Sequence, residues 1–566
     1  MPTIFHGLVT AYSGLQAMQQ AIQTTSQNIT NAETKGYSRQ TAILTPNDPY
    51  TLPSSFFHGT GALQVGSGVV VAAMGRARDQ FIDRAIRIET GVKGEASAHY
   101  DSLQRVEAAF NEIEGEALTV QLTKFYDSWQ ELALHPDNLA TRTAVAQTAK
   151  DVTAQFNTLV STIRRAQKDT DEQMDLVVSQ INRDLNSVAQ LNKRITEAID
   201  SGDQPNDLLD QRDLILDGLS EMANVRFVSV GNSVNVTLNG FYLVDRDSVA
   251  PLQSVFTPGQ VKGDAPIQFG GALQLVPGEF KINGISIVDV ASPAVPITTE
   301  RDLLNLINAK SLQTGGVTAT VSSSGELVLA CPGDGTQTIS VEVNGNALQI
   351  GGMTNGLYQV TNVHDIRLSN GQTAQITSGQ LSGMLKTIHD DAPAFLKRLD
   401  QLANTIITRV NGLHSSGYNL DKQTGVPFFT GTQAKDMQVA GNLIANVRLI
   451  AAAVNPESPP GDGNRALDIA ALKNAPLMAG RTTEDYYNNL LSEVGFAVAQ
   501  ALDKVSNQEQ IVKGMEERRQ EVQGVSLDEE FANLIRFQRA YQGASRMVSV
   551  MDEMMDRILN MGVVGR

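Results

Sequence analysis

Apolar residues recur at alternating spacings of four and three near the start of the chain, at Ile4, Leu8, Ala11, Leu15, Met18, Ile22 and Ile29, with one polar lapse at Thr25. Near the other end Leu534, Tyr541, Val548 and Met555 repeat every seven residues, and Phe537, Ala544, Met551 and Ile558 repeat beside them. Both are heptad seams, and each predicts a long helix with one apolar stripe. Roughly 25 and 33 residues give lengths of about 37 and 50 Å. Neither helix hides its stripe alone. The simplest partner for each is the other, or copies of both in neighbouring subunits. Leu8, Leu15, Met18, Ile22 and Ile29, with Leu534, Phe537, Tyr541, Val548, Met551, Met555 and Ile558, are therefore the candidate assembly interface.

The polar positions of the first helix sharpen this reading. From Met1 to Ala32 the chain has no Asp, Glu, Lys or Arg, and its polar face is Gln16, Gln19, Gln20, Gln23, Ser26, Gln27 and Asn28. A helix facing water ordinarily carries charge there. An uncharged amide face suits a helix packed on several sides, where each charge costs desolvation and each amide finds a partner. Asn31 and Gly36 can end this helix, since both tolerate left-handed backbone.

Between the ends the period changes twice. Loops and short strands fill the next forty residues or so, including a β run at Val69, Val70 and Val71 and a Gly59-Thr-Gly61 turn. Helical spacing then holds from about Ala77 to Met222, including Val177, Ile181, Leu185, Val188, Leu191 and Ile195. That much helix with short breaks implies a long-helix bundle. At Val225 the period becomes two, and Asn239-Gly240 and Asn283-Gly284 mark hairpin turns. Strands are predicted at 317–321, 327–330 and 339–343, with a short helix at 300–308. Helix returns at 378–415 and again at 483–523. The last helix opens on Ser526-Leu-Asp-Glu529, a capping box in which Glu529 reaches back to the backbone of Ser526.

Composition removes several function classes. The net charge of −17 and the lack of a strong basic cluster argue against nucleic-acid binding. No apolar run is long enough for a membrane span, and the N-terminus lacks the pattern of a secretory signal. The single cysteine, Cys331, excludes an intrachain disulfide and reads as a buried inert thiol. The seven histidines are scattered without metal-ligand spacing, and phosphate-loop and nucleophile-elbow patterns are absent. Asp334 and Asp462 lie in Gly-rich turns but not in calcium loops. The many acidic residues at helical spacing read as solvated faces. No catalytic residue, cofactor or metal is expected.

Ser26-Gln-Asn28-Ile-Thr-Asn31, followed by Gly36-Tyr37, resembles the signature of the bacterial flagellar axial proteins, the rod, hook and hook-associated subunits. Gln27 departs mildly from the usual Asn. Ser38-Arg39-Gln40 is more typical of the hook-associated branch. Leu208-Leu-Asp-Gln-Arg-Asp213, Ser233-Val-Asn-Val-Thr-Leu-Asn-Gly240, Leu399-Asp-Gln-Leu-Ala403, Val410-Asn-Gly-Leu-His-Ser-Ser-Gly417 and Gly524-Val-Ser-Leu-Asp528-Glu529-Glu530 agree with that branch in order. Residues 271–362 depart from its compact pattern and look like the insertion found in some flagellins.

The resemblance implies a multidomain α+β chain: terminal helices forming a coiled coil, a long-helix bundle, and inserted β-rich outer domains. The expected division is 1–35 with 525–566, 36–224 with 376–524, 225–270 with 363–375, and the insertion 271–362. It further implies a structural subunit between hook and filament, self-assembled into a junction layer with hook protein below and a second junction protein above. Export would follow the flagellar type III route to the cell exterior, with a cytoplasmic chaperone on the C-terminal region beforehand. A hook or distal rod subunit, or an exported cell-wall hydrolase on an axial scaffold, are the alternatives.

Overall fold

A computed structural model describes residues 4–51, 64–110, 117–267, 273–288, 295–322, 325–331, 336–344, 353, 356–361 and 363–561. The Gly59–Gly61 turn and Asp334 lie outside these residues. In chain order the described helices are α1 (Ile4–Thr30), α2 (Gln80–Ala108), α3 (Leu118–Leu134), α4 (Leu139–Asp200), α5 (Asn206–Met222), α6 (Glu300–Ala309), α7 (Gln380–Lys386), α8 (Ala392–Ser416), α9 (Gly441–Ala445), α10 (Asn464–Ala470), α11 (Thr483–Gln523) and α12 (Leu527–Met561).

The 62-residue α4 is the spine of the molecule and runs through two cores. Val145, Ala149, Val152, Phe156, Leu159 and Ile163 on its first half close a core with α3, α8, α10 and α11. Aromatic rings fill its centre: Trp129 lies 5.1 Å from Phe428, and Phe428 stands edge-on to Phe429 at 4.8 Å. Two buried polar groups are satisfied by backbone there. Arg142 donates through Nε to the Pro136 carbonyl at 2.9 Å. His414 bonds the Val426 carbonyl through Nδ1 at 2.7 Å and accepts from the Ala451 amide through Nε2 at 2.9 Å.

The second half of α4 presents Met174, Val178, Ile181, Leu185 and Val188 to α5, α7 and a four-stranded meander. The meander pairs Arg226–Val230, Ser233–Leu238, Phe241–Asp245 and Ser248–Val249 in sequence order, all antiparallel. Its second turn is the Asn-Gly pair expected from sequence, with Asn239 and Gly240 both at positive φ (49° and 88°). Glycines allow the helices around this core to approach closely. A Cβ on Gly383 of α7 would strike the backbone of Glu95 and His99 in α2. A π turn at Thr387–Asp391 joins α7 to α8, and His99 meets Asp391 there at 2.8 Å.

A third core belongs to the insertion. Strands Gly259–Pro266, Glu326–Cys331 and Thr318–Val321 form one sheet, and Ile285–Ser286, Phe280–Ile282, Thr336–Val343 and Gly356–Thr361 form another. α6 adds Leu303 and Ile307 to the core these strands share. The expected boundary at residue 271 is thus too late. Gly259–Pro266 pairs with Glu326–Cys331, so the insertion's own sheet begins at Gly259. Cys331 is buried in that sheet, and its burial raises the thiol pKa. A two-stranded neck, Gln253–Thr257 against Val363–Arg367, carries the insertion.

Gln40–Pro46 pairs antiparallel with Val69–Arg76, and this hairpin packs on α1. Thr24 of α1 donates to the Met74 sulfur at 3.4 Å.

Candidate assembly interface

α1 and α12 form an antiparallel pair. At one end Asn28 reaches Glu530, and at the other the Met551 side chain sits against Gly7. Three heptads separate Gly7 from Asn28, and three separate Glu530 from Met551. The two seams therefore run in register. Leu8, Leu15, Met18, Ile22 and Ile29 on α1 are half-buried, as are Leu534, Phe537, Tyr541, Val548, Met551 and Met555 on α12. Ile558 is the exception, at 54% exposed. In this register it lies beyond Ile4, the first described residue of α1. Thr25, the polar lapse, is buried. A second line of α1, Ala17, Ala21, Thr24 and Asn28, is buried at the same spacing on the hairpin side. Two packed sides explain why this helix carries no charge.

The motif residues join the helix pair to the body. Asn28 is 1% exposed and uses its whole amide: Nδ2 donates to the Gln40 carbonyl at 2.8 Å and to Glu530 Oε2 at 3.0 Å. Its Oδ1 accepts from the Tyr37 hydroxyl at 2.8 Å and the Gln40 amide at 3.0 Å. Burial, then the nearby Asp207, Asp210 and Glu530 charges, raise the Tyr37 pKa, so the hydroxyl stays a donor. Arg39 Nε donates to Glu530 Oε1 at 2.8 Å, and its Nη1 reaches Glu529 at 3.0 Å. Glu530, 2% exposed, is thus held by two donors from the opposite end of the sequence. Gln40 bonds Asp207 and Asn206 at the start of α5.

Not every motif residue acts as expected. Gly36 adopts left-handed backbone (φ 84°), but Asn31 does not; its Nδ2 bonds back to the Gln27 carbonyl at 3.1 Å. Glu529 gives its carboxylate to Arg39, leaving only the Ser526 half of the capping box, at 3.5 Å. Asp528 is exposed on the first turn of α12, where its charge favours the helix dipole.

Beneath this joint lies a charge network the sequence reading missed. Asp210 accepts from the Ser38 amide and hydroxyl at 3.0 and 2.8 Å and pairs with Arg76 at 2.7 Å. Asp213 meets Arg78 at 2.8 Å, and Asp217 meets both Arg87 (2.6 Å) and Arg519 (2.9 Å). Arg78 also holds the buried Asp83 at 2.6 Å. Asp207, Asp210, Asp213 and Asp217 share one face of α5, which is a docking face rather than a solvated one. Their spacing of three, three and four was the available signal.

Terminal helices paired across the whole sequence, locked to a helical body that displays β-rich insertions, define an axial subunit of the bacterial flagellum. Within that class the chain belongs to the flagellar hook-associated protein FlgK family. The description "flagellar hook-associated protein FlgK helical domain" matches residues 103–280 and 303–429, and "flagellar basal body rod FlgEFG protein C-terminal" matches 517–561. Flagellar hook-associated protein 1 of Bacillus subtilis is 27% identical over 585 aligned residues, covering 100% of both chains. The protein of that name in Escherichia coli is 26% identical, covering 97% of this chain and 98% of its own. The fold is similar to that of the flagellar hook junction protein FlgK from Burkholderia pseudomallei, at 13% identity and a TM-score of 0.52, covering 77% of this chain and 99% of that one. Among the described residues no helix is long and apolar enough to cross a membrane.

Proposed function

We propose that this chain is a structural subunit of the junction between flagellar hook and filament, assembling with copies of itself through its terminal helices. One observation carries the reading. With the seam half-closed inside the chain, further apolar side chains stay uncovered on its flanks: Phe531, Ile535, Met547, Val550 and Met554 on α12, with Phe5, Val9 and Tyr12 on α1. Fully burying one such side chain is worth about 1.5–3 kcal/mol, so covering several of them together is a strong drive to associate. The half-buried seam and these flanking side chains together are the assembly surface, and the Asn28–Arg39–Gln40–Glu530 joint fixes its angle to the body.

In this reading hook protein lies below the layer and a second junction protein above it. The subunit leaves the cell by the flagellar type III route, and a cytoplasmic chaperone covers the C-terminal stripe beforehand. The test is a deletion strain. Intact hooks by electron microscopy, with flagellin shed into the medium, are expected. Missing hooks would move the subunit down the axis to hook or rod, and normal attached filaments would refute the role.

A further inference from the structure

The insertion is tied covalently to the rest of the chain only through the two neck strands, Gln253–Thr257 and Val363–Arg367. The neck lies along α4 and is held to it at two places. Near its base Asn182 makes a reciprocal pair with Leu252, donating to the carbonyl at 2.8 Å and accepting from the amide at 2.9 Å. That bond is independent of pH. Farther along, His364 points into a nest of acidic groups. Its Nδ1 lies 3.0 Å from Asp171 Oδ1, and its Nε2 lies 3.3 Å from Asp175 Oδ1 and 2.5 Å from Ser254 Oγ. Asp171 and Asp175 are one turn apart on α4, Asp365 follows on the histidine's own strand, and Ser254 belongs to the other neck strand. His364 itself is 8% exposed.

Ser254, His364 and Asp171 have the spacing of a nucleophile relay, but the second carboxylate changes the chemistry. A carboxylate on each ring nitrogen favours the imidazolium, which has no lone pair left to take a serine proton. The arrangement is an ion-pair clamp. We propose that the His364 cluster is a protonation-dependent clamp that fixes the insertion's neck on α4 when the ring is charged and frees it when the ring is neutral.

The sign follows from the surroundings. The Asp171 hydrogen bond raises the His364 pKa above the ordinary 6.5 against the opposing effect of burial, and the Asp171, Asp175 and Asp365 charges add to the rise. The clamp is therefore fully closed below pH 6.5 and opens as the pH climbs through the raised value. The insertion also approaches the body where the Lys435 ammonium lies near Cys331, so a test must separate the two.

Spin labels on Leu312→Cys in the insertion and Ser161→Cys on α4, both exposed positions, would be placed in full-length Cys331→Ala protein. Electron–electron resonance would read their distance distribution from pH 5.5 to 9. A narrow distribution at low pH, broadening with a midpoint above 6.5, is expected. Asp171→Asn lowers the midpoint by about one pH unit or more. His364→Lys, which keeps a cation and leaves Lys435 untouched, stays narrow to pH 9. A width independent of pH, a midpoint unmoved in Asp171→Asn, or broadening that persists in His364→Lys overturns the clamp.

Discussion

Glu530→Gln is the sharpest test of how the two ends are joined. The buried carboxylate accepts from Arg39 Nε at 2.8 Å through one oxygen and from Asn28 Nδ2 at 3.0 Å through the other. A glutamine keeps the shape but offers one acceptor and one NH2 group. One of the two donors must then face another donor at hydrogen-bond distance. Arg39 keeps Glu529 as a partner, so its charge is not stranded. The loss is one charge-assisted hydrogen bond, about 1.5–3 kcal/mol. Nothing in the cores of α4 changes, so the cost falls on local opening of the helix pair. Native-state hydrogen exchange reads that directly, because an opening easier by this amount speeds exchange by about ten- to a hundredfold. The acceleration is expected in residues 20–30 and 528–540 and not in α3, α8 or the first half of α11. Unchanged exchange at both ends of a folded variant would refute the joint.

Phe531→Asp should leave the α1–α12 pair protected in the monomer and block incorporation, whereas Leu534→Asp should unpair the helices and block incorporation too; exchange and filament attachment check both. Gly383→Ala places a methyl on the backbone of α2 and should cost about 1–3 kcal/mol, while Gly412→Ala, with nothing within 4 Å in α8, should gain about 0.5–1 kcal/mol; thermal denaturation compares them. Burial, the largest cause, lowers the His414 pKa to about 4, so the ring is neutral in the folded chain and charges first in the unfolded one. Stability from this residue is full above pH 6.5 and is lost as the pH falls toward 4, by at most about 3 kcal/mol. Carbon-13 histidine resonances should show no His414 titration near 6.5, and a midpoint there would refute it.

The sequence shows periodicities plainly and pairings hardly at all. A heptad states which side of α12 is apolar, and the half-buried positions of α12 follow it from Leu534 to Met555. The Asn239-Gly240 and Asn283-Gly284 turns were legible because each demands positive φ at both residues, and both have it. The acidic face of α5 was misread because aspartates at helical spacing look alike whether water or Arg76 and Arg78 lies opposite. Only the fold sets those arginines, more than 130 positions upstream, against them. Gly259–Pro266 was placed outside the insertion for a similar reason, since its partner Glu326–Cys331 lies far along the chain.

The seams carry a subtler ambiguity. Their period cannot say whether the partner helix is in the same chain or the next. Register decides it: Asn28 against Glu530 and Gly7 against Met551 close the pair within one chain. That same register leaves Ile558 past Ile4, the first described residue of α1, and leaves α12 exposed at Phe531, Ile535, Val550 and Met554. α12 thus carries apolar side chains for two partners, its seam closed by the chain's own N-terminus and the flanks of that seam left for a neighbour. A substitution's effect on monomer and on assembly should therefore separate by helix face, not by position along the helix.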